Sequence, residues 1–170
     1  QLQGKVFRII QFTHPVTEAQ KQQLSASGIE LFDYIPDNAY TPVITKNIDP
    51  SIFEKTGVHS ISELAPQDKL GIRLLQNRIP AWSVKRSNAV DVIVHFSKGI
   101  STEEAWTFLS KQYELIDQSW INYHFITLRI EQNKIDELAA VPFIEYIEPV
   151  PPAPKTFNYL MRANTRANVL

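Results

Sequence analysis

The chain has 170 residues, enough for one large domain or two small ones, and 44% of them are hydrophobic, which is typical of a protein with a packed core. The formal net charge is -1, so nucleic-acid binding is disfavoured. A membrane span is disfavoured because no apolar run is long enough to cross a bilayer. The absence of cysteine excludes disulfides, thiolate metal sites and a cysteine nucleophile within these residues.

Residues 6–64 alternate between strand signals and helix signals. Thr17 is a suitable helix N-cap, and Gly28 and Gly57 are helix stop signals. β-Branched and aromatic residues dominate the strand segments. The predicted elements are a strand at 6–12, a helix at 17–28, two strands within 29–44 joined by a turn at 36–38, a helix at 49–57 and a strand at 58–64. Their order is β-α-β-β-α-β.

Residues 67–88 lack a clean period and contain glycine and proline, so they predict a connector with one short helix at 68–76. After the connector the earlier order of signals returns, with Ser101 or Thr102 as a helix cap and acidic residues in the first turn. The predicted elements are a strand at 90–96, a helix at 101–112, two strands within 113–130, a helix at 131–141 and a strand at 143–149.

The two halves of the chain resemble each other in four blocks that occur in the same order. VFRIIQF matches VDVIVHF, TEAQKQQL matches TEEAWTFL, IELFD matches YELID, and IFEKTGVHSISELAP matches IDELAAVPFIEYIEP. Because four ordered matches are much less probable by chance than one, the pattern indicates a duplicated unit. Each unit spans about 65 residues, which is small for independent stability, so we expect the two to pack together or to share the connector.

The repeat predicts an α+β fold made of two tandem ferredoxin-like units, each with an antiparallel sheet and both helices on one face. The second sheet is expected to leave its other face uncovered, carrying Trp120, Tyr123 and Phe125 as a contact surface. The predicted boundaries are 1–66 for the first unit, 67–88 for the connector, 89–152 for the second unit and 153–170 for an extended C-terminal tail.

No motif in the sequence predicts catalysis. None of the histidines forms an HExxH pattern or has helical metal-ligand spacing, and His95 and His124 are predicted to lie in strands as packed or surface residues. GxSxG, GxGxxG and phosphate-loop patterns are all missing, and the acidic pair at 103–104 suits a helix N-terminus. We therefore predict no catalytic residue, no metal site and no cofactor. An RNA-binding sheet is disfavoured by the balanced charge.

The end of the second unit, LAAVPFIEYIEPVPP, resembles the end of the propeptides of subtilisin-like serine proteases. The matching residues are Pro142, Ile144, Tyr146, Ile147 and Glu148. VDVIVHF and STEEAWTFL are similar to earlier parts of the same pattern. Nearly the whole chain resembles the amino-terminal region of secreted subtilisin-like peptidases of the Bacteroidetes type, with the propeptide unit present as a tandem repeat.

This resemblance implies a prodomain that acts as intramolecular chaperone and temporary inhibitor of the catalytic domain of the same precursor. The chain itself would be non-catalytic, and secreted, periplasmic or in the cell envelope after removal of a signal peptide. The implied protease-docking residues are Tyr146 and Glu148, with Glu145 as the alternative acid that caps helices of the protease. The implied cleft-binding tail contains Pro149, Val150, Pro151, Pro152, Asn168, Val169 and Leu170.

Several alternatives stay open at this point. The runner-up function is a stand-alone protein-binding or ligand-binding module of the cell envelope, and a small-molecule enzyme is the third. The open sheet face also allows a homodimer when no protease is present. The processing position is open between 151–160, the end near 168–170 and a point beyond the chain. We expect only the second unit to contact the protease, with the first unit supporting it.

Overall fold

A computed structural model describes residues 4–45, 48–86 and 88–153. It contains two antiparallel sheets and few helices, which confirms the predicted α+β class. The elements of the first half are β1 Val6–Phe7, β2 Ile9–Phe12, α1 Glu18–Ala26, β3 Ile29–Ile35, β4 Ala39–Ile44, α2 Ser51–Thr56 and β5 Val58–Ser62. Those of the second half are α3 Ile72–Leu75, β6 Val84–Arg86, β7 Ala89–Phe96, α4 Thr102–Ser110, β8 Glu114–Asp117, β9 Phe125–Glu131, α5 Ile135–Ala139 and β10 Ile144–Pro149.

In the first sheet, β1 and β2 behave as one strand that is interrupted at Arg8. Both pair with β4 in the same register, since Val6 lies opposite Ile44 and Gln11 lies opposite Ala39. β3 pairs with the other edge of β4, and β5 pairs with β2. The predicted strand at 6–12 is therefore confirmed apart from its interruption.

In the second sheet the strand order is β10-β7-β9-β8, and β6 pairs with the start of β7. β6 was not predicted, because its three residues, VKR, show neither alternation nor a β-branched run. The single helix predicted at 68–76 is also wrong. A 3-10 turn at Pro66–Lys69 and the short helix α3 replace it, separated at Gly71, whose N–H donates to the Ile147 carbonyl at 2.8 Å.

Side-chain caps fix the starts of the two longest helices, as predicted. Thr17 forms a capping box with Gln20 at the start of α1, and Ser101 does the same with Glu104 at the start of α4. These bonds satisfy N–H groups that lack a partner inside the helix. α1 and α4 have nine residues each, and no helix within the described ranges is long and apolar enough to cross a membrane.

The core of the second unit lies between one face of its sheet and its helices. Alternate residues of β7 and β9 point inward, and α4 and α5 cover them with Leu109 and Leu138. The inward residues of these two strands are Val90, Val92, Val94, Phe96, Ile126, Leu128 and Ile130, each at most 3% exposed. Burial of such side chains contributes about 1.5–3 kcal/mol each, so this layer is the main source of stability in the second unit.

The first unit has a smaller core and contacts the second unit through the opposite side of its sheet. Ile10 and Leu24 are buried between the first sheet and its helices. Phe7 and Val43 point to the other side, because they alternate with core-facing neighbours. The Phe7 ring lies 6.4 Å from the ring of Phe143 in the second core. The second unit therefore covers part of the face that the first sheet turns away from its helices.

Charged residues also join the two units. Asp33 on β3 forms an ion pair with Lys98, which follows β7. The Lys5 Nζ atom lies 3.8 Å from Glu104 Oε2 at the start of α4. The side chains in these pairs are all at least 24% exposed, so each pair contributes little to stability and serves mainly to fix how the units meet.

His124 does not lie in a strand, contrary to prediction. It follows the 3-10 turn Ile121–Tyr123 and adopts a left-handed backbone conformation with a φ of 64°. The left-handed conformation reverses the chain before β9 begins at Phe125. The strand pair predicted within 113–130 is otherwise confirmed, since β8 and β9 pair antiparallel.

Gly99 offers a test of the contact between the units. A β-carbon at Gly99 would overlap Val43 Cγ2 and lie 2.9 Å from Val43 Cβ, so Gly99→Ala should lower the free energy of unfolding by about 1–3 kcal/mol. Urea unfolding of a double-mutant cycle measures this: in a Val43→Ala background, which removes the overlapping Cγ2 atom, the added cost of Gly99→Ala should be smaller. An equal cost in both backgrounds would contradict the packing described here.

Candidate protein-docking face

β10 contains a β-bulge that decides which side chains are exposed. Its register on β7 shifts between Ile144 and Tyr146, so Glu145 is an extra residue in the strand. As a result Ile144 and Ile147 both enter the core, where each is fully buried. Tyr146 and Glu148 lie on the opposite side of the sheet and are exposed. The bulge thus places two of the predicted docking residues on one accessible surface.

That surface is the side of the second sheet that faces away from α4 and α5, and we call it the open face. Its aromatic side chains are unusually accessible: Phe125 is 39% and Tyr146 is 40% exposed. On the same strands, the residues that alternate with them are buried. The residues that define the open face are Ile93, Trp120, Phe125, Thr127, Tyr146 and Glu148.

A short turn between β8 and β9 brings two more aromatic rings to the border of the open face. Asp117 accepts hydrogen bonds from the Ser119 hydroxyl at 2.6 Å and the Ser119 N–H at 2.9 Å, which start the turn. Trp120 and Tyr123 follow, with ring centroids 5.8 Å apart and exposures of 62% and 66%. Contiguous exposed apolar rings of this kind mark protein-interaction surfaces.

Carboxylates flank the aromatic centre of the open face. Glu148 and Asp117 border a shallow depression of about 230 Å³ whose other walls include Trp120 and Phe125. The hydrogen bonds from Ser119 lower the pKa of Asp117, so that carboxylate is ionised at neutral pH. An apolar centre with acidic neighbours fits a partner that presents apolar side chains together with N–H donors or positive charge.

Glu145, the predicted alternative acid, is not on the open face. As the extra residue of the bulge it turns toward the first unit, and its side chain is only 15% exposed. The nearest titratable group is His95, whose Nδ1 lies 3.4 Å from Glu145 Oε2. Burial raises the pKa of Glu145 to about 7, and burial also lowers the pKa of His95. Of the two acids, only Glu148 is placed to meet a partner on the open face.

The connector occupies the outer edge of β10. Leu70 forms a parallel bridge with Ile147, and the Trp82 indole N–H donates to the Val150 carbonyl at 3.0 Å. The connector passes close to β10 at Gly71, where a β-carbon would lie 3.2 Å from both the Ile147 carbonyl oxygen and Glu148 Cβ. Because the connector occupies this edge, a partner can contact the open face of β10 but cannot pair with the strand as an added neighbour.

The start of the predicted cleft-binding tail is described and its end is not. Pro149 is buried, Val150 is half-buried, and Pro151 and Pro152 are exposed. The Val150 N–H donates to the Asp91 carbonyl at 3.1 Å, which fixes the direction in which the chain leaves the sheet. Asn168, Val169 and Leu170 lie outside the described residues.

Sequence reasoning missed some residues of this surface. The alternation of VDVIVHF identifies Ile93 and His95 as outward-facing, so that signal was present. Asp117 and the role of Gly71 had no comparable signal, because both depend on where the chain returns in space. In the described part of the chain no three histidine or acidic residues are grouped to hold a metal ion. The absence of catalytic residues stays a prediction.

Neighbouring residues on β9 test whether the open face is accessible in solution. Phe125→Ala should lower the free energy of unfolding by less than about 1 kcal/mol, because the ring is partly hydrated. Ile126→Ala, one position along on the core side, should cost about 2–5 kcal/mol because it leaves a cavity. Urea unfolding of both variants makes the comparison. Similar losses for the two would show that the open face is covered.

Glu145 predicts a dependence of stability on pH. Since its pKa in the folded protein is about 7 against an ordinary 4.5, folding favours the protonated carboxyl. This stabilisation is complete below pH 4.5 and is lost as the pH rises to about 7. Glu145→Gln, which never ionises, should therefore gain up to about 3 kcal/mol relative to the unaltered protein between these values. Unfolding at several pH values measures the difference, with Glu137→Gln as an exposed control; a difference that does not change with pH would contradict the burial.

Comparison with known proteins gives one match. Residues 1–65 match the model of a family described as Domain of unknown function (DUF8729). A search of curated proteins and a search of solved structures each found no match. The matched region contains the first sheet and ends before the connector and the open face. The first unit of this chain is thus similar to a domain family whose description assigns no activity.

Proposed function

We propose that this chain is the non-catalytic prodomain of a subtilisin-like serine protease, acting as intramolecular chaperone and temporary inhibitor of the catalytic domain in the same precursor. The observation that carries the proposal is the open face, where exposed Phe125 and Tyr146 lie beside exposed Glu148. A folded unit that leaves such a surface uncovered is suited to bind another protein. The resemblance of LAAVPFIEYIEPVPP to protease propeptides supports a subtilisin-like catalytic domain as the proposed partner.

We also propose that each sheet with its helices is a ferredoxin-like unit. When β1 and β2 are counted as one strand, both sheets have their fourth strand beside the first, followed by the third and the second. That order, with two helices per unit, is what a β-α-β-β-α-β sequence forms when it folds as a split pair of β-α-β elements. It supports the duplication inferred from the sequence.

Docking would use the two kinds of group that the open face offers. Aromatic side chains such as Phe125 and Tyr146 are the anchors that contribute most to protein interfaces, because they bury a large area with little loss of conformational freedom. Glu148 would accept hydrogen bonds from N–H groups at the N-termini of helices on the catalytic domain, where the helix dipole favours negative charge. A face that binds only the folded catalytic domain stabilises it by mass action, which is the chaperone role.

The prolines after β10 would direct the tail. Pro149 is fixed in the sheet, and Pro151 and Pro152 continue from it in the exposed part of the chain. Successive prolines hold an extended backbone, so less conformational entropy is lost when the segment enters a substrate cleft. There the tail would pair with the protease as an added strand. Inhibition would end when the tail is cut.

The first unit would support the second without touching the protease. Its contacts with the second unit, through Phe7, Val43 and the Asp33–Lys98 pair, lie away from the residues that define the open face. The second unit covers part of the sheet surface that the first would otherwise expose. The two homologous surfaces are therefore used differently, one for contact within the chain and one for a partner.

Inhibition of a purified subtilisin-type protease tests the proposal. The chain should inhibit it in a slow, tight manner, and Phe125→Ala should weaken inhibition about tenfold or more. Glu148→Gln should weaken it about 3- to 30-fold, as expected for loss of a charge at a helix N-terminus. Glu103→Gln, an exposed acid on α4 on the far side of the sheet, is the matched control and should have no effect.

The outcomes separate the proposed function from its alternatives. Absence of inhibition, with the chain shown to be folded, would contradict the prodomain role. Binding to the protease without inhibition, or self-association that Phe125→Ala abolishes, would favour the stand-alone binding module or a homodimer through the open face. Equal losses for Glu148→Gln and Glu103→Gln would contradict a specific role for Glu148.

A further inference from the structure

A second concave site lies between the two units, and we call it the inter-unit cleft. It has a volume of about 300 Å³ and is bounded by β1 and β4 of the first unit, the connector, and β10 with its preceding loop. Its charged lining residues are Lys5, Arg8, Glu63, Lys69 and Glu145. The volume is at the lower end of the range for ligand sites, so the cleft suits a small molecule.

Lys69 is a buried cation on the wall of this cleft. Only 4% of the residue is exposed, and its ammonium donates to the Val141 carbonyl at 2.9 Å. An ammonium has three N–H donors, and this is the one hydrogen bond it forms within the described ranges. Burial lowers the pKa of Lys69, and the negative charges of Glu145 and Glu63 offset this effect only in part. The Lys69 ammonium therefore has fewer hydrogen-bond acceptors around it than its three N–H groups can use.

Glu145 is a mostly buried carboxyl group that lines the same cleft. Its side chain is 15% exposed, its nearest titratable group is His95, and burial raises its pKa to about 7. Among the described residues no ion pair joins Lys69 to a carboxylate, so the two charges attract each other across the cleft but are not in direct contact. Two buried groups of opposite charge thus border one cavity without direct contact.

The other charges that line the cleft are already paired. Arg8 forms an ion pair with Glu63, and Lys5 lies 3.8 Å from Glu104. Lys69 and Glu145 are the charged groups of the cleft that are mostly buried. A simple anion would meet Lys69 but be repelled by Glu145, and a simple cation would suffer the reverse. A ligand that carries one negative and one positive charge can pair with Lys69 and with Glu145 at the same time.

We propose that the inter-unit cleft binds a small zwitterion of the size of an amino acid or dipeptide, with its carboxylate on Lys69 and its ammonium on Glu145. Each contact is a charge-assisted hydrogen bond made in a mostly buried site, where such bonds are strong. Residues of both units line the cleft, so the ligand would also stabilise the contact between them. This site is independent of the proposed docking, because none of the residues that define the open face lines the cleft.

Calorimetric titration with the dipeptide Ala-Ala, at a pH above 7 where most of Glu145 is ionised, tests the proposal. The chain should bind one equivalent, and the dipeptide should raise the midpoint of thermal unfolding. N-acetylation or C-amidation of the probe removes one charge each, and either change should weaken binding about tenfold. Lys69→Met should also weaken binding about tenfold or more, whereas the control Lys111→Met, at an exposed position directly after α4, should leave it unchanged.

Glu145→Gln provides an independent arm if Lys69→Met does not fold. It should weaken binding of Ala-Ala several-fold while leaving the affinity for the N-acetylated probe unchanged, because that probe has no ammonium. Three results would overturn the proposal: no binding of Ala-Ala by the unaltered chain at about 10 mM, equal binding by Lys69→Met and Lys111→Met, or equal affinities for the free and N-acetylated probes. None of these results would bear on inhibition of a protease through the open face.

Discussion

The bulge at Glu145 is the constraint on which the rest of the second unit depends. Regular alternation through β10 would place Ile144 and Ile147 on opposite sides of the sheet, whereas one extra residue lets both enter the core. The same shift sends Tyr146 and Glu148 to the open face and turns Glu145 toward the inter-unit cleft. One local irregularity thereby supplies a closed core, an accessible aromatic surface and a buried acid.

The two units make different use of similar sheets. In the first, Phe7 and Val43 on the side away from the helices meet the second unit, and the connector continues from this unit to close the edge of β10. In the second, the corresponding side keeps Phe125 and Tyr146 exposed. A small unit gains stability by burying such a surface, so the exposed face of the second unit is the observation from which we propose a binding role.

Much of the fold could be predicted because it is local in origin. Each capping box, at Thr17 and at Ser101, depends only on residues within four consecutive positions. The alternation of apolar and polar residues in β7 shows which side of the strand is buried. β6 and the left-handed His124 could not be predicted, because short segments take their structure from the strand or turn they meet in space. The candidate site divides in the same way: exposure of Phe125 follows from alternation, whereas the separation of Glu145 from Glu148 requires knowledge of the bulge.

Nuclear magnetic resonance tests the proposed docking through the open face most directly. The isotope-labelled chain is titrated with the catalytic domain of a subtilisin-type protease whose active-site serine has been replaced, so that the tail stays intact. The account predicts signal changes at the backbone and side chains of Phe125, Thr127 and Tyr146, with the exposed surfaces of α4 and α5 unaffected. Changes confined to the helices, or no change at concentrations that saturate the protease, would contradict it.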